Sequence, residues 1–113
     1  MCIYNAHMVA MDTIADFGRR MGHYLQAHKV ILFGSYAQGH PTEDSDVDFL
    51  VIADFQGRAV DQSVDVRMQL NPSFPMDLLV RTPEMIRRRQ SMQDPFIDQI
   101  LTEGKVLYEA HHG

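Results

Sequence analysis

Three short apolar runs constrain the fold of this chain more than any other feature: KVILF at 29–33, DVDFLVIA at 46–53 and MDLLV at 76–80. Each is rich in Val, Ile and Leu, and each is too short for an ordinary helix. That is the signature of a buried strand. Around them the apolar spacing changes. Ile14, Phe17, Met21 and Leu25 recur every three or four residues and predict a helix ending near His28. Val60, Val64 and Met68, four apart, predict a helix over 56–70, which NPSFP then breaks. Thr82-Pro83-Glu84 reads as a helix start: threonine caps, proline suits the first helical position, and glutamate suits the positive helix end. Asp94-Pro95 repeats the device, and Gly104 suits the position just past that second helix. KVLYE at 105–109 reads as a last strand. With a short helix inside the turn after Phe33, the order is helix, strand, turn-helix, strand, helix, strand, helix, helix, strand. This predicts an α/β (α+β) fold, a small mixed sheet flanked by helices.

The 113 residues are expected to form one domain, 1–113, with no room for a separate substrate-binding domain. Apolar residues at 45% and charged residues at 22% argue against disorder and coiled coil. A net charge of -5 lacks the basic footprint of a nucleic-acid binder, so no direct nucleic-acid binding is expected. Cys2 is the only cysteine, which rules out an internal disulfide and fits a reducing, cytoplasmic setting. No apolar run approaches the ~20 residues of a membrane helix. MCIYNAHMVAMD lacks the basic start and apolar block of a signal peptide.

The chemistry lies in residues 34–48, GSYAQGHPTEDSDVD. Gly34 and Ser35 stand where a buried strand ends. Such a turn can present backbone N–H groups to phosphate oxygens. Glycine permits close approach, and the Ser35 hydroxyl adds a donor. Ten residues separate Ser35 from Asp46. Asp46 and Asp48 are two apart on the expected strand, so both side chains project from one face. Two carboxylates held together repel. A hard cation relieves this, and Mg²⁺ commonly takes one or two carboxylates plus substrate phosphates. The bland alternative is a plain turn and a solvated strand edge. Against it, four fixed positions recur by chance in about one chain in a thousand at ordinary residue frequencies. An EF-hand loop starting at Asp44 would need Gly and Glu where Phe49 and Phe55 stand. A P-loop would need a lysine, and a dinucleotide fingerprint a third glycine.

LFGSYAQG…SDVDFLV resembles the G-S-x10-D-x-D signature of the DNA polymerase β-like nucleotidyltransferases, and most closely the minimal nucleotidyltransferases. The resemblance covers most of the chain, including the later strand PMDLLV with Asp77 and the closing EGKVLYE. It implies that fold, with Asp46 and Asp48 binding two Mg²⁺ ions and Asp77 completing the catalytic metal site. Gly34 and Ser35 would hold the β- and γ-phosphates of ATP. Asp77 would accept the proton of an attacking hydroxyl, and AMP would pass to the acceptor. Many members carry arginine where this chain has Gln38, whose amide donates to phosphate without adding charge. The resemblance further implies a HEPN-domain partner in a type VII-like toxin–antitoxin pair, in which the small protein adenylylates a tyrosine of the toxin. Two other functions stay open: an aminoglycoside-type small-molecule nucleotidyltransferase, and an antitoxin that acts by contact alone. The triphosphate and metal half of a transferase site fits this length but most of an acceptor site does not, which points to a partner or to self-association.

Other residues read more plainly. Arg81, Arg87, Arg88 and Arg89 form the one basic cluster, expected as a solvated face, with a phosphate- or partner-facing role as the alternative. The six histidines, His111 and His112 among them, show no zinc-ligand spacing. Tyr36 is expected to pack beneath the turn, and His40 to be exposed. The methionines Met8, Met11, Met21, Met68, Met76, Met85 and Met92 are expected to fill core, with a Met-rich partner surface as the alternative.

Overall fold

A computed structural model describes residues 8–111. Cys2 and His112, discussed above, lie outside the described residues. The elements are α1 (Met11–Tyr24), β1 (Lys29–Phe33), α2 (Ser35–Gln38), β2 (Val47–Ile52), α3 (Ala59–Leu70), β3 (Met76–Arg81), α4 (Pro83–Ser91), α5 (Pro95–Glu103) and β4 (Lys105–Glu109). Their order is the one expected from the sequence.

The four strands form one mixed sheet in the order β3-β2-β1-β4. β1 pairs antiparallel with β2 and with β4, and β2 pairs parallel with β3. A parallel pair needs a crossover, which α3 supplies. Strand alternation sorts the side chains onto two faces. One face carries Val30, Leu32, Val47, Phe49, Val51, Leu78 and Val80 against Ile14, Phe17 and Met21 of α1 and Val66 of α3. Phe17 packs edge-on against Phe74 at 5.4 Å between ring centroids. The other face carries Ile31, Leu50 and Ile52 against Ile86 of α4 and Ile97 and Ile100 of α5.

Helix ends follow local chemistry. The Thr82 hydroxyl accepts from the Met85 N–H at 3.1 Å, and Asp94 accepts from the Phe96 N–H at 2.9 Å. Each is followed by proline in the first turn. α1 stops at Tyr24, short of His28, whose own N–H donates to the Ile52 carbonyl and so begins the sheet.

The helix expected over 56–70 forms as α3, with Val60, Val64 and Met68 exposed and Ser63 and Val66 buried. A four-residue repeat marks a helix whichever way it faces. Here polar bonds go with the rotation: Arg67 donates to the Met76 carbonyl at 2.8 Å, and the Tyr24 hydroxyl to Asp65 at 2.7 Å. Two expectations need correction. Of the methionines, Met21 and Met76 are core, whereas Met11, Met68 and Met92 are exposed. Gly104 is not left-handed, with φ -71°. A Cβ there would stand 2.5 Å from the Ile100 carbonyl oxygen and from Ile31, so glycine is required by the close approach of α5 to β1.

Candidate active site

The topology explains why distant motif residues meet. β1 runs into Gly34, and the antiparallel β2 starts beside that exit. Phe33 is the register partner of Asp48. The parallel β3 starts at the same end, so Asp48 is the register partner of Asp77. Asp48 and Asp77 therefore project from one face, the α4/α5 face, beyond the end of its apolar cluster. Asp46 immediately precedes β2, one residue outside the strand expected for it.

Gly34 has φ +77°, where side chains are disfavoured. A Cβ at this position would lie 2.1 Å from Asp48 Oδ2. The glycine thus both makes the turn and leaves room for the carboxylate. Ser35 opens α2, and the first turn of a helix leaves N–H groups without intrahelical acceptors. Tyr36 packs beneath the turn at 4% exposure, and its hydroxyl accepts from the Val9 N–H at 3.1 Å. Gly39, at φ +82°, ends this short helix. His40 is exposed.

Asp48 is half-buried, while Asp46 and Asp77 are exposed. Burial, reinforced by the charges of Asp77 and Asp46, pushes the Asp48 carboxyl up to about 6. No arginine, lysine or histidine pairs with any of the three among the described residues. Nor do these side chains form a ready-made cage: no group of three or more His, Cys, Asp or Glu is gathered closely enough to hold a metal among the described residues. The donor set nevertheless suits Mg²⁺, which takes oxygen ligands and usually completes its shell with water and phosphate. Unpaired like charges on one face are a site that gains by binding a cation.

A hollow of about 260 Å³ adjoins Asp48, lined by Phe33, Gly34, Gln38, Phe96, Gln99 and Glu103, among others. Gln38 is exposed at its rim. The sequence did not single out Phe96, Gln99 or Glu103. They reach the hollow because α5 lies across the end of β1, a long-range contact with no local signature.

Residues 20–112 match the family Polymerase beta, Nucleotidyltransferase. The chain belongs to this family. It is a nucleotidyltransferase, and two named relatives are similar to it over most of its length. One from Methanocaldococcus jannaschii, named "Putative protein adenylyltransferase", is 34% identical over 82 residues, covering 71% of this chain and 77% of the relative. A second of the same name and organism is 27% identical over 99 residues, covering 86% of this chain and 97% of the relative. The fold of this nucleotidyltransferase recurs in two crystal structures. A toxin–antitoxin solved with AMP-PNP has a TM-score of 0.59 at 20% identity, over 86% of this chain and 74% of that one. A Sulfolobus solfataricus protein described as a nucleotidyltransferase has a TM-score of 0.59 at 14% identity, over 90% and 82%. No described helix is long and apolar enough to cross a membrane.

Proposed function

We propose that this nucleotidyltransferase moves AMP from ATP onto a hydroxyl of a partner protein, and that it acts as the antitoxin of a toxin–antitoxin pair. The observation that carries the chemistry is that Asp46 and Asp77 flank Asp48 beside the Gly34-Ser35 turn, with no base paired to any of the three among the described residues. The names of the Methanocaldococcus jannaschii relatives support a protein as acceptor. The toxin–antitoxin structure supports the biological setting, and its AMP-PNP supports an adenine nucleotide. A HEPN-domain toxin is the partner we infer, with a tyrosine as its acceptor. The cytoplasm is the compartment we infer, from the lone cysteine.

Asp46, Asp48 and Asp77 would hold two Mg²⁺ ions, which when bound neutralise phosphate charge and acidify an attacking hydroxyl. The other roles belong to the chain. Backbone N–H groups of the turn and the Ser35 hydroxyl donate to the β- and γ-phosphates. The Gln38 amide donates from the rim of the hollow. Asp77 accepts the proton of the attacking hydroxyl. The new bond joins that oxygen to the α-phosphorus, the bond from the α-phosphorus to the bridging oxygen breaks, and pyrophosphate leaves. Above pH 6 Asp48 is ionised and able to bind a cation.

The test is label transfer. ATP labelled at the α-phosphate is incubated with Mg²⁺, a HEPN-domain partner, and either the wild type or an Asp46→Asn, Asp48→Asn variant. Label on the partner with the wild type alone is expected. Equal neutralisation of the partner by both proteins, with no label, would leave a contact-only antitoxin. Label on an added aminoglycoside alone would assign a small-molecule enzyme.

A further inference from the structure

The basic cluster expected to be a solvated face borders a second hollow. It is larger than the first, about 680 Å³, and lies on the α4/α5 face of the sheet at the β3 side. Arg81, Arg88 and Arg89 line it together with Met85, Met92 and Phe96. Phe96 also lines the hollow beside Asp48, so the two are neighbours. Asp77, Leu79 and Arg81 alternate along one face of β3, and Leu79 lies in the groove. At about 3.3 Å per residue, the four steps from Asp77 to Arg81 span about 13 Å.

The arginines are available to an incoming anion. Arg81 donates to the Val80 carbonyl at 2.8 Å, and no carboxylate pairs with it among the described residues. Arg88 meets Glu84 at 3.3 Å with its side chain 67% exposed, and Arg89 meets Asp94 at 3.9 Å with its side chain 59% exposed. Exposed pairs of this kind are weak and exchange easily. Most of the lining is apolar, Asp94 is its one acidic residue, and methionine adapts to varied side chains. A peptide matches that mixture better than a nucleic-acid backbone does, because the apolar lining residues outnumber the arginines and offer a chain of phosphates no partner. Arg81 stands beyond the reach of the Asp77 charge, since screening at physiological salt acts over about 8 Å.

We propose that this groove docks an extended acidic segment of the acceptor protein. Its Asp or Glu side chains would lie about four residues from the hydroxyl that receives the nucleotide, at about 3.3 Å per extended residue. The proposal rests on the protein-acceptor reading above, but its test does not require transfer.

Two tyrosine-containing peptides serve as probes, one with Asp and Glu about four positions from the tyrosine, the other with Asn and Gln there. Binding to the full chain is measured without nucleotide, for wild type and for an Arg88→Gln, Arg89→Gln variant. Both side chains are exposed, and retained thermal stability and Mg²⁺-ATP binding verify that the variant is folded. The acidic peptide should bind the wild type about fivefold more tightly, as expected for two or three exposed ion pairs. That preference should shrink with salt and fall in the variant, which keeps only Arg81 of the three. Equal binding of the two peptides by the wild type, or a preference undiminished in the variant, overturns the proposal. So does a single-stranded RNA that outcompetes the acidic peptide in an arginine-dependent way, which would give the groove to nucleic acid. Peptide preference without label transfer would count against the transferase reading and leave the docking groove standing.

Discussion

Asp48 and Gly34 form one unit. The carboxylate occupies the space in which a Cβ of residue 34 would sit. Gly34→Ala should cost about 1–3 kcal/mol, combining left-handed backbone strain with the collision. Asp48→Gly in the same chain should recover part of that loss, because it removes the collision and leaves only the strain. A double-mutant cycle by denaturant unfolding reads the coupling; strictly additive losses would contradict the contact. The raised Asp48 carboxyl gives a pH signature with a definite sign. Between its ordinary value near 4 and about 6, the unfolded chain ionises this group while the folded chain keeps it protonated. Its contribution to stability is therefore full below the ordinary value and is lost as pH rises through about 6. Thermal melts from pH 4 to pH 7 should show Asp48→Asn gaining on the wild type as pH rises. At Gln38, arginine would add a charge at the rim of the hollow beside Asp48; on the proposed function, Gln38→Arg should tighten ATP binding about three- to tenfold, as charge-assisted bonds to phosphate do.

At the scale of elements, legibility depended on how local the signal is. Caps and breakers are contacts within one turn, so Thr82, Asp94 and NPSFP could be read directly, and the helices start and stop accordingly. Strands of five or six apolar residues were legible for the same reason. The rotation of α3 was not, since period four describes an inward and an outward stripe equally well. With Val66 packed in the core and Arg67 bonded to the Met76 carbonyl at the start of β3, Val60, Val64 and Met68 face solvent. Gln at Val60, Val64 and Met68 should change stability by no more than about 0.5 kcal/mol each, as surface changes do. Val66→Ala should cost clearly more, since it empties a fully buried site. Chemical denaturation distinguishes the two sets. Gly104 likewise reads as a helix stop, yet its necessity comes from β1 pressing on α5.

Over the whole molecule, charge is sorted rather than uniform. The net -5 of the sequence includes Asp46, Asp48 and Asp77 at one end of the α4/α5 face, whereas Arg81, Arg88 and Arg89 border the groove farther along it. The motif predicted the proximity of Gly34, Asp46 and Asp48 because fifteen residues of chain join them, and a strand–turn–strand leaves few ways to lay those out. Asp77 depends on β3 pairing parallel to β2 in matching register, which only the sheet reveals. The hollow beside Asp48 and the arginine groove needed α5 in place, so neither could be read from the chain alone. If the carboxylates work as one cation site feeding the phosphate turn, ATP and metal must bind interdependently. Calorimetric titration of ATP into wild type and Asp46→Asn, Asp48→Asn protein, with and without Mg²⁺, measures this. Binding that requires both Mg²⁺ and the intact aspartates is the expected result; ATP binding of equal strength in all four samples would contradict it.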